Sequence, residues 1–126
     1  MFDQATTYSR TEIQQRVGGE TQTYLPQKNK IILAGCFNRE FNPDCPNEIQ
    51  AGKPKKVAKK AVLLISQPET IFPVFTKESE RAKKYKFEGY FKCVSGSNRP
   101  ADISAAEQKS GRHGKLSYVL RLEKVH

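Results

Sequence analysis

Tryptophan is absent, methionine occurs once and histidine twice, and the three cysteines, Cys36, Cys45 and Cys93, form no CxxC pair. A structural zinc site normally takes four well-spaced thiolate or imidazole ligands. The one quartet available is Cys36, Cys45, Cys93 and His113, and it has no zinc-type spacing. The cysteines therefore read as buried or half-buried free thiols of a reducing compartment, and no metal or other cofactor is expected. Long apolar runs are missing too. The longest, residues 31–37 and 61–65, fall far short of the roughly 20 residues that cross a bilayer, and nothing reads as a signal peptide. These absences argue against a membrane protein and a secreted precursor, and for a cytoplasmic location, or a nuclear one in a eukaryote.

The signatures of common catalytic sites are also lacking: no P-loop, GxGxxG, GxSxG or HExxH occurs. The nearest approach to the clustered carboxylates of a metal-dependent nuclease is Glu69, Glu78 and Glu80 with Lys77, in what reads as an exposed charged turn. Cys36 or Cys93 with His113 would be needed for thiol chemistry. Both cysteines fall in strand-like segments, and His113 sits in a Ser-Gly-Arg-His-Gly run ill suited to holding an imidazole still. The chain reads as a binding module rather than an enzyme.

Basic residues are concentrated in one half of the chain. Residues 1–52 hold five Lys/Arg against six Asp/Glu, net −1. Residues 53–126 hold seventeen against seven, net +10, and together these give the overall +9. One strongly basic half is the footprint of a polyanion binder, of which nucleic acid is the commonest. The densest cluster, Lys53, Lys55, Lys56, Lys59 and Lys60, contains no acid and runs directly into the apolar residues 61–65. A patch anchored to the fold in this way suits phosphate contacts better than a free tail does. An acidic membrane surface is the competing target, but no lipidation motif or long amphipathic helix accompanies the charge.

Local patterns give a coarse outline. A short helix over residues 11–17, capped by Ser9 or Thr11, should stop at Gly18-Gly19, with Ile13 and Val17 on its buried side. Residues 20–26 read as extended and 27–30 as a turn, making a hairpin with a strand over 31–37. Residues 38–56 read as one long connection, and 56–66 as a helix turning into a strand. Pro73 should place the strand over 70–76 at a sheet edge or bulge. Residues 84–93 alternate strictly between Tyr85, Phe87, Gly89, Phe91, Cys93 and polar or charged neighbours, a period of two. Residues 1–8 read as flexible, and 95–114 as a mobile loop holding one helical turn near Ala105. A last strand covers 116–125, with Leu116, Tyr118, Leu120 and Leu122 on one side. The length fits a single domain over residues 1–126, α+β or mostly β, with a small bent sheet or partly open β-barrel and one or two short flanking helices.

Twelve Phe and Tyr residues are interleaved with basic groups. A ring that stacks on an unpaired base needs a loop or pocket mouth near cations that hold the backbone. Phe37 and Phe41 meet that description, with Asn38 and Asp44 beside them to hydrogen-bond a base edge. Tyr24, Tyr90 and Gln22 complete the candidate base pocket. Lys84, Lys86, Arg112 and Lys115 join the 53–60 cluster as candidate phosphate ligands.

Residues 84–94, Lys-Tyr-Lys-Phe-Glu-Gly-Tyr-Phe-Lys-Cys-Val, lead through a glycine-bearing loop to residues 114–122, Gly-Lys-Leu-Ser-Tyr-Val-Leu-Arg-Leu. This pair resembles two strands of the SRA (SET- and RING-associated) domain and, more broadly, of the PUA-like group that includes EVE and ASCH domains. The resemblance implies a bent barrel with flanking helices that accepts a flipped, often modified, base in an aromatic cage. Such domains occur in modification-dependent restriction systems and in chromatin proteins. The first half lacks the glycine-rich stretch that contacts the modified base in SRA domains, so no residue is carried over from it. The resulting expectation is a nucleic-acid-binding reader of modified DNA, of the kind that is fused to or paired with a nuclease. An RNA-binding PUA-like domain, a small nuclease or toxin component whose catalytic residues are not evident, and a domain that meets an acidic protein partner are the alternatives.

Overall fold

A computed structural model describes residues 2–126, so Met1 lies outside the described residues. The chain is α+β. Its main sheet is curled and runs in the order β4 (Gly35–Asn38), β6 (Phe72–Lys77), β7 (Lys84–Ser97), β8 (Leu116–Lys124), β5 (Glu48–Gly52). The β4–β6 pair is parallel and the others antiparallel. β1 (Thr7–Ser9) pairs with the first residues of β7, so the expected flexible N-terminus is tied into the sheet, and Phe2 packs edge-on against Phe75, with ring centroids 4.8 Å apart.

The described residues form three helices rather than one or two: α1 (Arg10–Val17), α2 (Lys55–Ile65) and α3 (Pro100–Ser110). α1 begins on a capping box in which the Glu12 amide donates to Ser9 Oγ and the Ser9 amide donates to Glu12, and it ends at Gly18 as its sequence signals require. α2 is helical throughout and does not turn into a strand. Val57, Ala61 and Leu64 lie at helical spacing and pack on Ile49, Leu120 and their neighbours in the sheet. α3 replaces most of the expected mobile loop over residues 95–114. Pro100 at its first turn, Asp102 near its N-terminus and Gly111 in the left-handed conformation after its end are ordinary start and stop signals. They went unread because α3 buries little: Ala106 is the one buried residue of the helix.

The hairpin differs from the expected one: residues 20–26 form no strand, and the first arm lies within the expected turn, as β2 (Gln27–Lys28) with β3 (Ile31–Ile32). Asn29 and Lys30 both take positive φ between them, as a two-residue hairpin loop needs. The apolar run over 31–37 is therefore two strands, with a break at Leu33 and Ala34. The long connection over 38–56 also contains a strand, β5. Pro73 does not mark a sheet edge, because β6 lies between β4 and β7. It stands one residue ahead of the β4 ladder, which begins at Gly35 and Val74, and beside a register shift at Val74/Phe75.

That register shift explains how one alternating strand serves two cores. Phe75 lies opposite Phe87 and Val74 opposite Gly89, so Glu88 is the extra residue and Gly89 takes φ 125°. Residues sharing parity then switch faces. Tyr85 and Phe87 join Tyr8, Ile13, Cys36 and Phe75 in one cluster, whereas Phe91 and Cys93 join Phe72, Val74, Leu120 and Leu122 in the other. A second shift, at Ala51/Gly52, leaves Ser117 unmatched on β8. It moves Leu116 off the expected Tyr118–Leu120–Leu122 face and onto α3, with Ala106 and Val119.

Candidate functional site

Each residue of β5 chooses a side of the sheet. Ile49 and Ala51 enter the main core under α2, while Glu48 and Gln50 point to the face that α3 covers. The two faces carry the two candidate sites.

On the α2 side, Lys53, Lys55, Lys56 and Lys59 are exposed and form no ion pair among the described residues. Lys60 is different. Its Nζ lies 2.7 Å from a Glu20 carboxylate oxygen and 2.8 Å from the Leu25 carbonyl, so it pins residues 20–25 onto the helix. Burial works against ionised Glu20, but Lys60 and the Gln27 amide outweigh it and hold the carboxyl down at about 2. The N-terminus of α2 follows Pro54 with no side-chain cap and no acid in its first turn. Nothing negative competes there for the positive end of the helix.

The other expected phosphate ligands are spread out. Lys84 lies 3.5 Å from Glu12, while Lys86 and Lys115 are exposed. Arg112 is engaged inside the fold. It donates to the Phe41 and Gln50 carbonyls at 3.3 and 3.0 Å, and its guanidinium stands 5.0 Å over the Phe41 ring. Its desolvation lowers its pKa, the sign of a structural cation rather than of one waiting in solvent.

The expected base-pocket residues do not converge. Phe37 is a core side chain, 2% exposed, in edge contact with Tyr24. The Tyr24 hydroxyl donates to the Val57 carbonyl at 2.7 Å, and burial pushes its pKa up. Asn38 ends β4 and accepts the Phe41 amide at 2.7 Å, shaping the turn that places Phe41 under Arg112. Asp44 accepts from Lys109 at 2.8 Å, Gln22 is exposed on its loop, and Tyr90 lies outward on β7 opposite Pro73. Tyr90 is the one ring of the four that is exposed. The three thiols are all buried, which raises their pKa: Cys36 to about 12 and Cys45 to about 11.

On the opposite face, α3 and the sheet enclose a cleft of about 390 Å³. Sheet register sets its floor, with Glu48, Arg121 and Ser95 side by side and Val119 beside Ser97 in the next row, whose third member, Gln50, lies under α3 outside the cleft lining. The Glu48 side chain is only 9% exposed, with Lys109 and Arg121 nearby at 3.3 and 3.5 Å. The Ser97 hydroxyl donates to Asp102, which also accepts from Arg99 at 3.1 Å. None of these residues except Asp44, bonded to Lys109 at the rim, was singled out from sequence. The signal available was the alternation Glu48, Ile49, Gln50, Ala51, which marks a strand with one polar face.

No helix among the described residues is long and apolar enough to cross a membrane. Compared with known protein families, curated proteins and solved structures, the chain matches none.

Proposed function

We propose that the chain is a nucleic-acid-binding domain that holds the sugar–phosphate backbone on the lysines at and before the start of α2. The observation that carries this reading is the group of four exposed lysines, Lys53, Lys55, Lys56 and Lys59, with no carboxylate partner among the described residues. Several other cations are paired with acids, such as Arg39 with Glu88, Lys60 with Glu20 and Lys109 with Asp44 and Glu48, while these four stand close together in sequence without one. Four lysines left unpaired on one rigid helix end concentrate positive potential where a phosphate can release counterions. The uncapped helix terminus adds its dipole in the same sense.

The likeness of residues 84–94 and 114–122 to SRA strands makes DNA carrying a modified base the first ligand to test. Tyr90 on that strand is the candidate ring accessible for stacking. The test is fluorescence anisotropy at two salt concentrations, using one duplex in unmodified, methylated and hydroxymethylated forms alongside matched RNA. Salt-sensitive binding to all four supports backbone capture. A preference for one modified duplex that persists at the higher salt adds base reading. Absence of binding at the lower salt overturns both.

A further inference from the structure

We propose that the cleft between α3 and the sheet is a binding site for a guanine nucleotide. It lies on the opposite face of the sheet from α2, so the inference goes beyond the proposed backbone capture and does not rest on it.

The argument starts from Glu48. Its carboxylate sits on the cleft floor, almost wholly removed from water, and burying it is costly unless it is well hydrogen-bonded. Its partners are loose. Lys109 Nζ stands 3.4 and 3.3 Å from the two oxygens and Arg121 stands 3.5 Å away, all beyond the usual upper limit of about 3.2 Å for N–H···O bonds. Lys109 spends its short contact, 2.8 Å, on Asp44. Because one ammonium reaches both carboxylate oxygens, both are presented to the same side. The floor therefore presents a carboxylate whose N–H donors are loosely placed.

Two parallel N–H groups suit a carboxylate whose oxygens share a side. A guanidinium supplies them, but it would add charge to a cleft already rimmed by Arg99, Lys109 and Arg121. Guanine supplies them from N1 and N2 without charge. Its phosphate then takes the cation that the base displaces: the Arg121 side chain is 60% exposed and only 3.5 Å from Glu48, while Arg99, paired with Asp102, adds positive charge at the rim. Val119 and Ala105 give the purine an apolar wall. The volume lies within the range of about 300–1,000 Å³ typical of small-ligand sites.

Isothermal titration calorimetry on the full chain with guanosine, inosine, adenosine and cytidine 5′-monophosphates tests this. The expected result is saturable one-to-one binding of the guanosine nucleotide, with the inosine nucleotide, which lacks the N2 amino group, about tenfold weaker. Adenosine and cytidine nucleotides, without the paired donors, should be weaker still. Glu48→Gln should bring the guanosine-to-inosine ratio near unity. Arg121→Gln, at an exposed position that does not endanger folding, should weaken both equally. Equal heats for all four nucleotides, or no heat for the guanosine nucleotide at millimolar concentration, overturn the proposal. So does loss of nucleotide binding when the four lysines around the start of α2 are changed to Gln, since that would place the ligand on the wrong face. A single strand beginning in 5′-phosphoguanosine that binds more tightly than the mononucleotide supports the site with a strand end as ligand. The reverse order supports it with a free nucleotide.

Discussion

Replacing Lys53, Lys55, Lys56 and Lys59 together by Gln removes the four unpaired cations at the start of α2 while leaving the Lys60–Glu20 anchor in place. If each lysine neutralises one phosphate of a duplex, the four contribute about 3.6 to the slope of log affinity against log salt, at roughly 0.9 per phosphate. A fourfold rise in salt should then weaken the wild-type contribution from these residues by about 150-fold. The variant should lose that component and retain whatever slope the remaining cations supply. Stability should change little, because exposed surface substitutions usually fall within about 0.5 kcal/mol each. The assay is anisotropy across a salt series, with circular dichroism confirming the fold. Lys60→Gln is the internal control: a cation already spent on Glu20 should alter the slope far less than any one of the four. An unchanged slope in the quadruple variant, or a slope change in Lys60→Gln as large as in a single variant of the four, would refute the assignment of the backbone to this helix end.

Three further outcomes follow from the packing. Gly96→Ala places a Cβ 2.4 Å from Ile65 Cδ1, so the Ile65 side chain must turn aside; chemical denaturation should show a loss of about 1 kcal/mol, partly recovered by adding Ile65→Val, and full stability would mean that Ile65 does not sit so close. Glu20 has a folded-state pKa of about 2 against an ordinary 4.5, so its stabilisation is fully present above pH 4.5 and fades as pH falls through about 2. Discounted for its partly exposed side chain this is about 1 kcal/mol, and acid titrations of wild type and Lys60→Gln should differ in that window. The buried thiols should resist a thiol reagent at pH 8 until denaturant is added, Cys36 most of all; rapid labelling of the native protein would contradict their burial.

Features that depend on neighbours in sequence were legible before any fold was known. A cap at Ser9 or Thr11 and the Gly18 stop outline α1, turn chemistry marks Asn29–Lys30 though not the strand that precedes it, and the alternation over residues 84–93 marks most of β7. The unpaired lysine cluster is likewise readable, because exposed charge needs no partner to be recognised. α3 and β5 were missed for a common reason. Each makes its contacts over long range, Ala106 on Leu116 and Val119, Glu48 and Gln50 across to Lys109, Arg121 and the α3 backbone, and neither carries a dense apolar face of its own.

Composition and local pattern by themselves determined a chain that is α+β or mostly β, with a small bent sheet or partly open barrel, a basic second half and buried or half-buried thiols. Only tertiary structure decided which face each residue serves. A single extra residue at Glu88 sends Phe87 and Phe91 into different cores, and another at Ser117 turns Leu116 from α2's side to α3's, because side-chain direction alternates with every residue and a one-residue shift reverses it. Tertiary structure also decided which cations are spent. Lys60 and Lys59 are adjacent in sequence, yet one closes on Glu20 and the other faces solvent, a difference set by a carboxylate forty residues away from Lys60 in the chain.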